Sequence, residues 1–266
     1  MIDFSKYHGT GNDFILINGD RNRVDTTDHD WIRRCCDRRY GIGGDGLVVV
    51  RSGDSFDFEM LFFNSDGQPG SFCGNGSRCA VLFAKTEKFF SGHECRFLAY
   101  DGSHEARINR SSVEIKISEV SRVEKNENFV VLDTGSPHYV EKVVDLDRLN
   151  IVEAGKAIRF SPRFAEQGIN VNFVDSEIDR FLSIATYERG VEDETLSCGT
   201  GVVAGVLGVH MLDHGSDTSG TIRDVKTKGG NLQVRFSKTG DLFHDIWLIG
   251  PAEFVFSGQV QRKTID

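Results

Sequence analysis

One thiol-bearing turn occurs twice in this chain. Residues 71–80 read SFCGNGSRCA and residues 196–205 read LSCGTGVVAG, each a Cys-Gly-x-Gly followed by small and apolar residues. Cys73 and Cys198 stand near the middles of the two halves of a 266-residue sequence. The flanks echo in the same order. GTGNDFILIN (9–18) is loosely matched by GSPHYVEKV (135–143), GIGGDGLVVV (41–50) by GINVNFVD (168–175), and FFNSDGQPGSFCGNG (62–76) by TYERGVEDETLSCGTG (186–201). A repeat of this period cannot be one sheet with one core; it predicts two similar α+β domains of about 130 residues each.

Local patterns fill in those domains. β-branched, aromatic or alternating runs at 14–18, 46–50, 58–64, 113–117, 129–135, 170–175, 182–188, 231–236 and 245–250 predict strands. Residues 76–88 and 201–213 predict helices opening directly after the two thiol turns, and 28–40 predicts a third with a polar cap. The charged stretch SEVSRVEKNEN (118–128) marks the boundary. The expected division is 1–118 plus 255–266 for the domain with Cys73, and 119–254 for the domain with Cys198.

Charge and cysteine usage narrow the function classes. A formal charge of −9 and a pI near 5.4 argue against nucleic acid as the main partner. No apolar run reaches the roughly 18–20 residues of a membrane span, and the start lacks a secretory pattern, so a cytoplasmic protein is expected. The six cysteines include no Cys-x-x-Cys pair, so neither a zinc site nor a disulfide scaffold is expected. Cys35, Cys36, Cys79 and Cys95 read as small buried hydrophobes. GIGGDG (41–46) fits the letters of a dinucleotide loop, but a helix precedes it and a strand follows, the reverse of what a pyrophosphate site requires. It reads as a tight turn, and in GTGNDF Asn12 is placed to present its amide to a ligand.

The thiol turns carry the chemistry. At a helix start the macrodipole favours an anion and lowers a thiol pKa from about 8.5. The first-turn N–H groups of Gly74, Asn75, Gly199 and Thr200 can hold a carboxylate there. Two such thiols suit a reaction that removes a proton from one face of a carbon and returns one to the other, one group acting as base and its partner as acid. A pseudo-symmetric pair of domains lets the two exchange roles for the opposite enantiomer.

These residues bring the chain close to a known family. In HGTGNDF (8–14), RRYGIGGDG (38–46), FFNSDG (62–67), CGNGSRC (73–79), GSPHYV (135–140), GINVNFV (168–174), YERGVEDETLSCGTG (187–201) and GPAEFV (250–255), it resembles diaminopimelate epimerase along nearly its whole length. The resemblance implies an α+β fold of two pseudo-symmetric domains, each a curved mixed sheet wrapped around a central helix. It implies interconversion of LL- and meso-2,6-diaminopimelate, toward lysine and peptidoglycan, with no pyridoxal phosphate or metal. Cys73 and Cys198 would be base and acid, with the backbone at Gly74, Asn75, Gly199 and Thr200 on the reacting carboxylate. Asn12, Asn64, Asn170 and Arg189 would bind substrate, Arg189 taking the distal carboxylate. Glu188 and His138 would tune the thiols or hold the ammonium. Partners reduce to the small-molecule substrate and, at most, a second copy in a homodimer.

Two positions depart from the family pattern. Ser136 replaces a common asparagine, which would shorten a substrate contact or route it through water. Gly46 stands where some members place glutamine, which would alter distal contacts. Competing readings are a proline or hydroxyproline racemase, which typically has histidine where Asn75 stands, and a binding protein or redox switch built on a Cys73–Cys198 disulfide.

Overall fold

A computed structural model of the chain describes residues 1–70, 72–110, 112–176, 181–213 and 215–262. In chain order the elements are β1 (Ile2–Gly9), β2 (Asn12–Asn18), α1 (His29–Cys36), β3 (Gly46–Arg51), β4 (Phe58–Asn64), α2 (Gly74–Thr86), β5 (Glu94–Ala99), β6 (Gly102–Asn109) and β7 (Ser112–Ile117). There follow β8 (Val123–Lys125), β9 (Phe129–Asp133), β10 (Pro137–Lys142), α3 (Ile151–Arg159), β11 (Asn170–Asp175), β12 (Leu182–Glu188) and β13 (Asp193–Thr195). The chain closes with α4 (Gly199–Asp213), β14 (Thr218–Thr227), β15 (Gly230–Thr239), β16 (Leu242–Pro251) and β17 (Glu253–Val260).

Two compact units emerge, Met1–Ile115 with Gly250–Asp266, and Lys116–Ile249. Their pairing patterns are the same. In the first, β1 runs antiparallel to β2, β2 parallel to β3, β3 antiparallel to β4 and β4 parallel to β5, followed by antiparallel β6 and β7. In the second, β9, β10, β11, β12, β14, β15 and β16 repeat that succession of antiparallel and parallel neighbours. Even the outer strands agree: β17 lies antiparallel on β1, as β8 lies antiparallel on β9. The fold is therefore α+β, with two pseudo-symmetric mixed sheets, each curved around one helix.

The helices explain the curvature. In α4 every residue from Gly199 to Val209 is buried, and a helix apolar on all sides must be surrounded. It packs on β9, β10, β11, β12 and β15, while α2 packs on β1, β2, β3 and β4. In the first unit α1 covers the opposite sheet face, where Trp31 and Ile32 join Ile15, Ile17, Leu47 and Val49. Phe14 to Ile17 of β2 are consequently buried on both faces. A two-residue turn at Thr10–Gly11, with φ of 49° and 84°, joins β1 to β2; glycine meets this left-handed geometry without strain.

Helix boundaries differ from those the sequence predicts. α1 stops at Cys36 instead of residue 40, because the Asp37 carboxylate accepts the N–H groups of Arg39 and Tyr40 at 2.7 Å each and turns the backbone out. α2 and α4 begin two residues early, at Gly74 and Gly199, so each thiol stands immediately before its helix. α3 was absent from the sequence prediction. Its signal was an Asn N-cap: Asn150 Oδ1 accepts from Glu153 N at 3.2 Å, and Asn150 Nδ2 donates to the Glu153 carboxylate at 3.3 Å. Gly155 weakens the helical pattern but is needed for packing, since a β-carbon there would lie 2.4 Å from Tyr187 Cβ.

Candidate active site

Within the first unit, the starts of β2 and β3, the end of β4 and the start of α2 converge. Cys73 occupies the cap position of α2, half-buried, and its Sγ accepts the Gly76 N–H at 3.4 Å while its carbonyl accepts from Ser77 N. Gly74 and Asn75 supply first-turn N–H groups, which lack intrahelical acceptors. The Asn75 amide has a fixed orientation. Its Oδ1 accepts from Arg78 Nη2 at 2.7 Å, so its Nδ2 donates to Asn12 Oδ1 at 2.6 Å, and Asn12 Nδ2 in turn donates to Asp45 at 2.8 Å. The loop 41–46 is thereby tied to the site. Arg38 bridges Asp45 and Asp13, and the buried Lys6 ammonium pairs with Asp13 at 2.7 Å and donates to the Gly43 carbonyl. Burial alone would raise the Asp13 carboxyl, but Arg38 and Lys6 outweigh it and hold it well below the usual carboxylate range. Asn64 is exposed at the end of β4, its backbone closing the turn to Gly67 and Gln68.

The second unit repeats this placement with β10, β11, β12 and α4. Cys198 is buried, its carbonyl accepting from Val202 N and its Sγ lying 3.5 Å from Thr200 Oγ1. His138 is fully buried beneath the helix start. Asn172 Nδ2 donates to the Tyr139 carbonyl at 2.9 Å, so the same NH2 group must donate to His138 Nδ1 at 3.0 Å. His138 therefore carries its proton on Nε2, 3.0 Å from both Thr200 Oγ1 and Ser136 Oγ. Asn172 Oδ1 takes the Thr186 hydroxyl at 2.9 Å, closing the cluster. Asn170 uses both ends of its amide, accepting Arg189 N–H at 2.9 Å and donating to Ser136 Oγ at 3.2 Å. Glu188 ends β12 half-buried, and Arg189 is exposed, its Nη1 donating to the Gln167 carbonyl at 3.0 Å.

Burial pushes the His138 pKa down to about 3, with the Arg189 charge adding; the Asn172 amide donating to Nδ1 also favours the neutral ring. An unfolded histidine titrates near 6.5. The unfolded chain thus binds a proton that the folded chain refuses as pH falls from about 6.5 toward 3, so folded-state stability decreases through that window, by at most about 1.4 kcal/mol per pH unit. Denaturant midpoints measured from pH 7 to 4 should fall less steeply in His138→Gln than in the parent. Equal slopes would remove His138 as the source.

The sequence profile of diaminopimelate epimerase matches residues 4–123 and 130–255. The chain belongs to the diaminopimelate epimerase family. It is 42% identical to the diaminopimelate epimerase of Flavobacterium psychrophilum over 94% of this chain and 97% of that one. The diaminopimelate epimerase of Chlorobaculum tepidum is 41% identical over 95% and 98%. Among solved structures, a phenazine biosynthesis protein from Bacillus anthracis aligns with a TM-score of 0.74 at 12% identity, covering 98% of this chain and 99% of its own. A hydroxyproline epimerase from Agrobacterium vitis aligns with a TM-score of 0.70 at 16% identity, covering 97% and 90%. These distant structures share the fold.

Register shows how the two halves correspond. Phe14 pairs with Gly46 and Gly46 with Asn64 in the first unit; His138 pairs with Asn170 in the second, whose β12 neighbour ends at Glu188. Counting back from Phe14 and His138, Asn12 matches Ser136, so the Asn12–Asn75 bond is matched by the 3.3 Å Ser136–Thr200 contact. Ser136 is therefore integrated into the His138 cluster. Gly46 is fixed by packing: a β-carbon there would meet the Phe63 carbonyl at 2.6 Å, leaving no room for glutamine. Sequence reading gave no role to Asn172, Thr186 and Arg78; strand register brings out the first two, and burial with its hydrogen bonds the third. The other four cysteines are buried, and burial pushes each thiol up to about 12. Among the described residues no helix is long and apolar enough to cross a membrane, and no three His, Cys, Asp or Glu side chains cluster as metal ligands.

Proposed function

We propose that this protein is a cytoplasmic, cofactor-independent epimerase that interconverts LL- and meso-2,6-diaminopimelate for lysine and peptidoglycan precursors. Its partner in this reading is the small-molecule substrate, with at most a second copy in a homodimer. The observation that carries the reading is the placement of Cys73 and Cys198 at matching helix starts in a member of this family.

One thiolate removes the α-proton: the C–H bond breaks, an S–H bond forms, and the electron pair spreads into the carboxylate. The other thiol gives its proton to the opposite face, forming the new C–H bond and becoming the thiolate. Protons and electrons balance with no further reactant. First-turn N–H groups at Gly74, Asn75, Gly199 and Thr200 receive the charge growing on the carboxylate, where fixed dipoles need no reorganisation. Asn12, Asn64, Asn170 and Glu188 are assigned to substrate, and His138 to the Cys198 thiol through Thr200. Neutral His138 cannot supply charge; it holds the Thr200 hydroxyl in place.

Incubation with LL-diaminopimelate in deuterated water should give meso product with deuterium at one α-carbon. Proline serves as the control, and deuterium entering proline but not diaminopimelate would refute the assignment. Arg189 carries the distal-carboxylate role because its exposed fork can pair in bidentate fashion. Arg189→Lys should raise KM about tenfold with little change in kcat, a loss of uniform binding. Unchanged KM would take Arg189 out of the site.

A further inference from the structure

The two units repeat each other in backbone but not in chemistry around the thiols. Strand register puts Phe14, Val48 and Phe62 of the first unit where His138, Asn172 and Thr186 stand in the second. Cys198 thus lies over a neutral polar cluster and Cys73 over an apolar one, in which the Phe14 and Phe62 rings meet edge to face. On the helices, Arg78 occupies the position that Val203 occupies in α4. Arg78 is fully buried. Its guanidinium donates to Asn75 Oδ1 at 2.7 Å, Thr10 Oγ1 at 3.2 Å, Pro251 O at 3.1 Å and Gly74 O at 3.4 Å. All four acceptors are neutral, and among the described residues the ionisable groups acting on it are Cys79 and Cys73.

A buried cation is costly without a counter-anion. Cys79 cannot serve, because it is wholly buried and burial pushes its thiol up to about 12. Cys73 is half-buried at the helix start, where the dipole also favours an anion. We propose that Cys73 is the resting thiolate with buried Arg78 as its counter-cation, and that Cys198 rests as the thiol. The assignment rests on the reading of the two cysteines as the acid–base pair, and Arg78 is a positioning residue for it.

The other charges around each thiol are mostly engaged by partners. Around α2, Lys6 and Arg38 balance Asp13 and Asp45, Arg51 pairs with Glu59, and His8 approaches Glu253. Around the start of α4, Glu188 adjoins exposed Arg189, Asp133 accepts the Gly135 N–H, and His138 is neutral. Lys142 and Lys238 are engaged by Asp213 and Gly215 at the far end of that helix, and Glu141 by the Tyr139 hydroxyl. With His138 Nε2–H directed at its oxygen, the Thr200 hydroxyl can donate to Cys198 Sγ at 3.5 Å, and this neutral donor favours a thiolate less than the full charge of Arg78 does.

The test follows alkylation by iodoacetamide against pH at each cysteine, with peptides resolved by mass spectrometry. Midpoints are compared, because rates also reflect exposure. In the unaltered chain the Cys73 midpoint should fall below the free-thiol value of about 8.5 and at least about one unit below that of Cys198. Arg78→Gln should raise the Cys73 midpoint by about one to three units and leave Cys198 in place. A lower midpoint at Cys198, or an unmoved Cys73 midpoint in folded Arg78→Gln, overturns the proposal. If Arg78→Gln does not fold, the order of midpoints in the unaltered chain decides. Diaminopimelate turnover on the same sample separates the two ideas: no turnover with a low Cys73 midpoint ends only the proposed function, and turnover with the order reversed ends only the charge assignment.

Discussion

Cys73→Ser and Cys198→Ser should each lower kcat for epimerisation by about a thousandfold or more while leaving the fold intact. The chemical loss follows from acidity. A hydroxyl is far too weak an acid to rest as an alkoxide at neutral pH, so a serine base removes no α-proton, and a properly placed acid or base is worth about 10²–10⁴-fold. The structural cost is small at both sites. Cys73 is half-buried at a helix cap, where serine is a better residue than cysteine, and a serine at 198 keeps a hydrogen-bond partner in Thr200. Thermal midpoints within a few degrees of the parent, together with that loss of turnover, would locate the defect in chemistry. Either variant retaining turnover within tenfold of the parent would end the acid–base assignment.

The repeated turn made much of this legible in advance. Two Cys-Gly-x-Gly segments with matched flanks carried the two-unit architecture, and β3, β4, β11 and β12 lie where alternation and β-branching placed them. The helix starts were read two residues late because glycine is a poor helix former, yet Gly74 and Gly199 are helical here. β1, β14 and β17 went unread because charged and polar residues interrupt their apolar positions, and β17 is largely exposed. Their strand character comes from pairing with distant partners, which no local window contains. In the site, Cys73, Asn75, Cys198 and Thr200 were legible from the motif. The Asn172–His138–Thr200 chain was not, since its members come from β11, β10 and α4 and only parallel register unites them. Arg78 lies within the CGNGSRC motif, but its full burial is not legible from the sequence.

Gly76→Ala and Gly201→Ala should separate the two helix starts by stability as well as activity. Both glycines stand third after their cysteine, and in a helix alanine is ordinarily favoured over glycine by about 1 kcal/mol. At Gly76 a β-carbon meets Cys73 Sγ at 3.5 Å and Phe14 Cε1 at 3.6 Å, ordinary contacts, so Gly76→Ala should be neutral to stabilising. At Gly201 it would lie 2.5 Å from Asn172 Oδ1 and 2.9 Å from Thr186 Oγ1. Those atoms cannot swing aside freely, because Asn172 also holds His138 and the Tyr139 carbonyl. Relief requires breaking a buried polar cluster or shifting α4, so Gly201→Ala should cost about 2–3 kcal/mol and lower kcat by one to two orders of magnitude through a displaced Thr200. Gly205→Ala, where the clash is with Ile184 Cδ1 at 2.6 Å, is the control: it should lose stability by overpacking yet keep activity per folded molecule. Equal effects of the alanine at 76 and 201 would mean that the His138 cluster does not hold the Cys198 helix start.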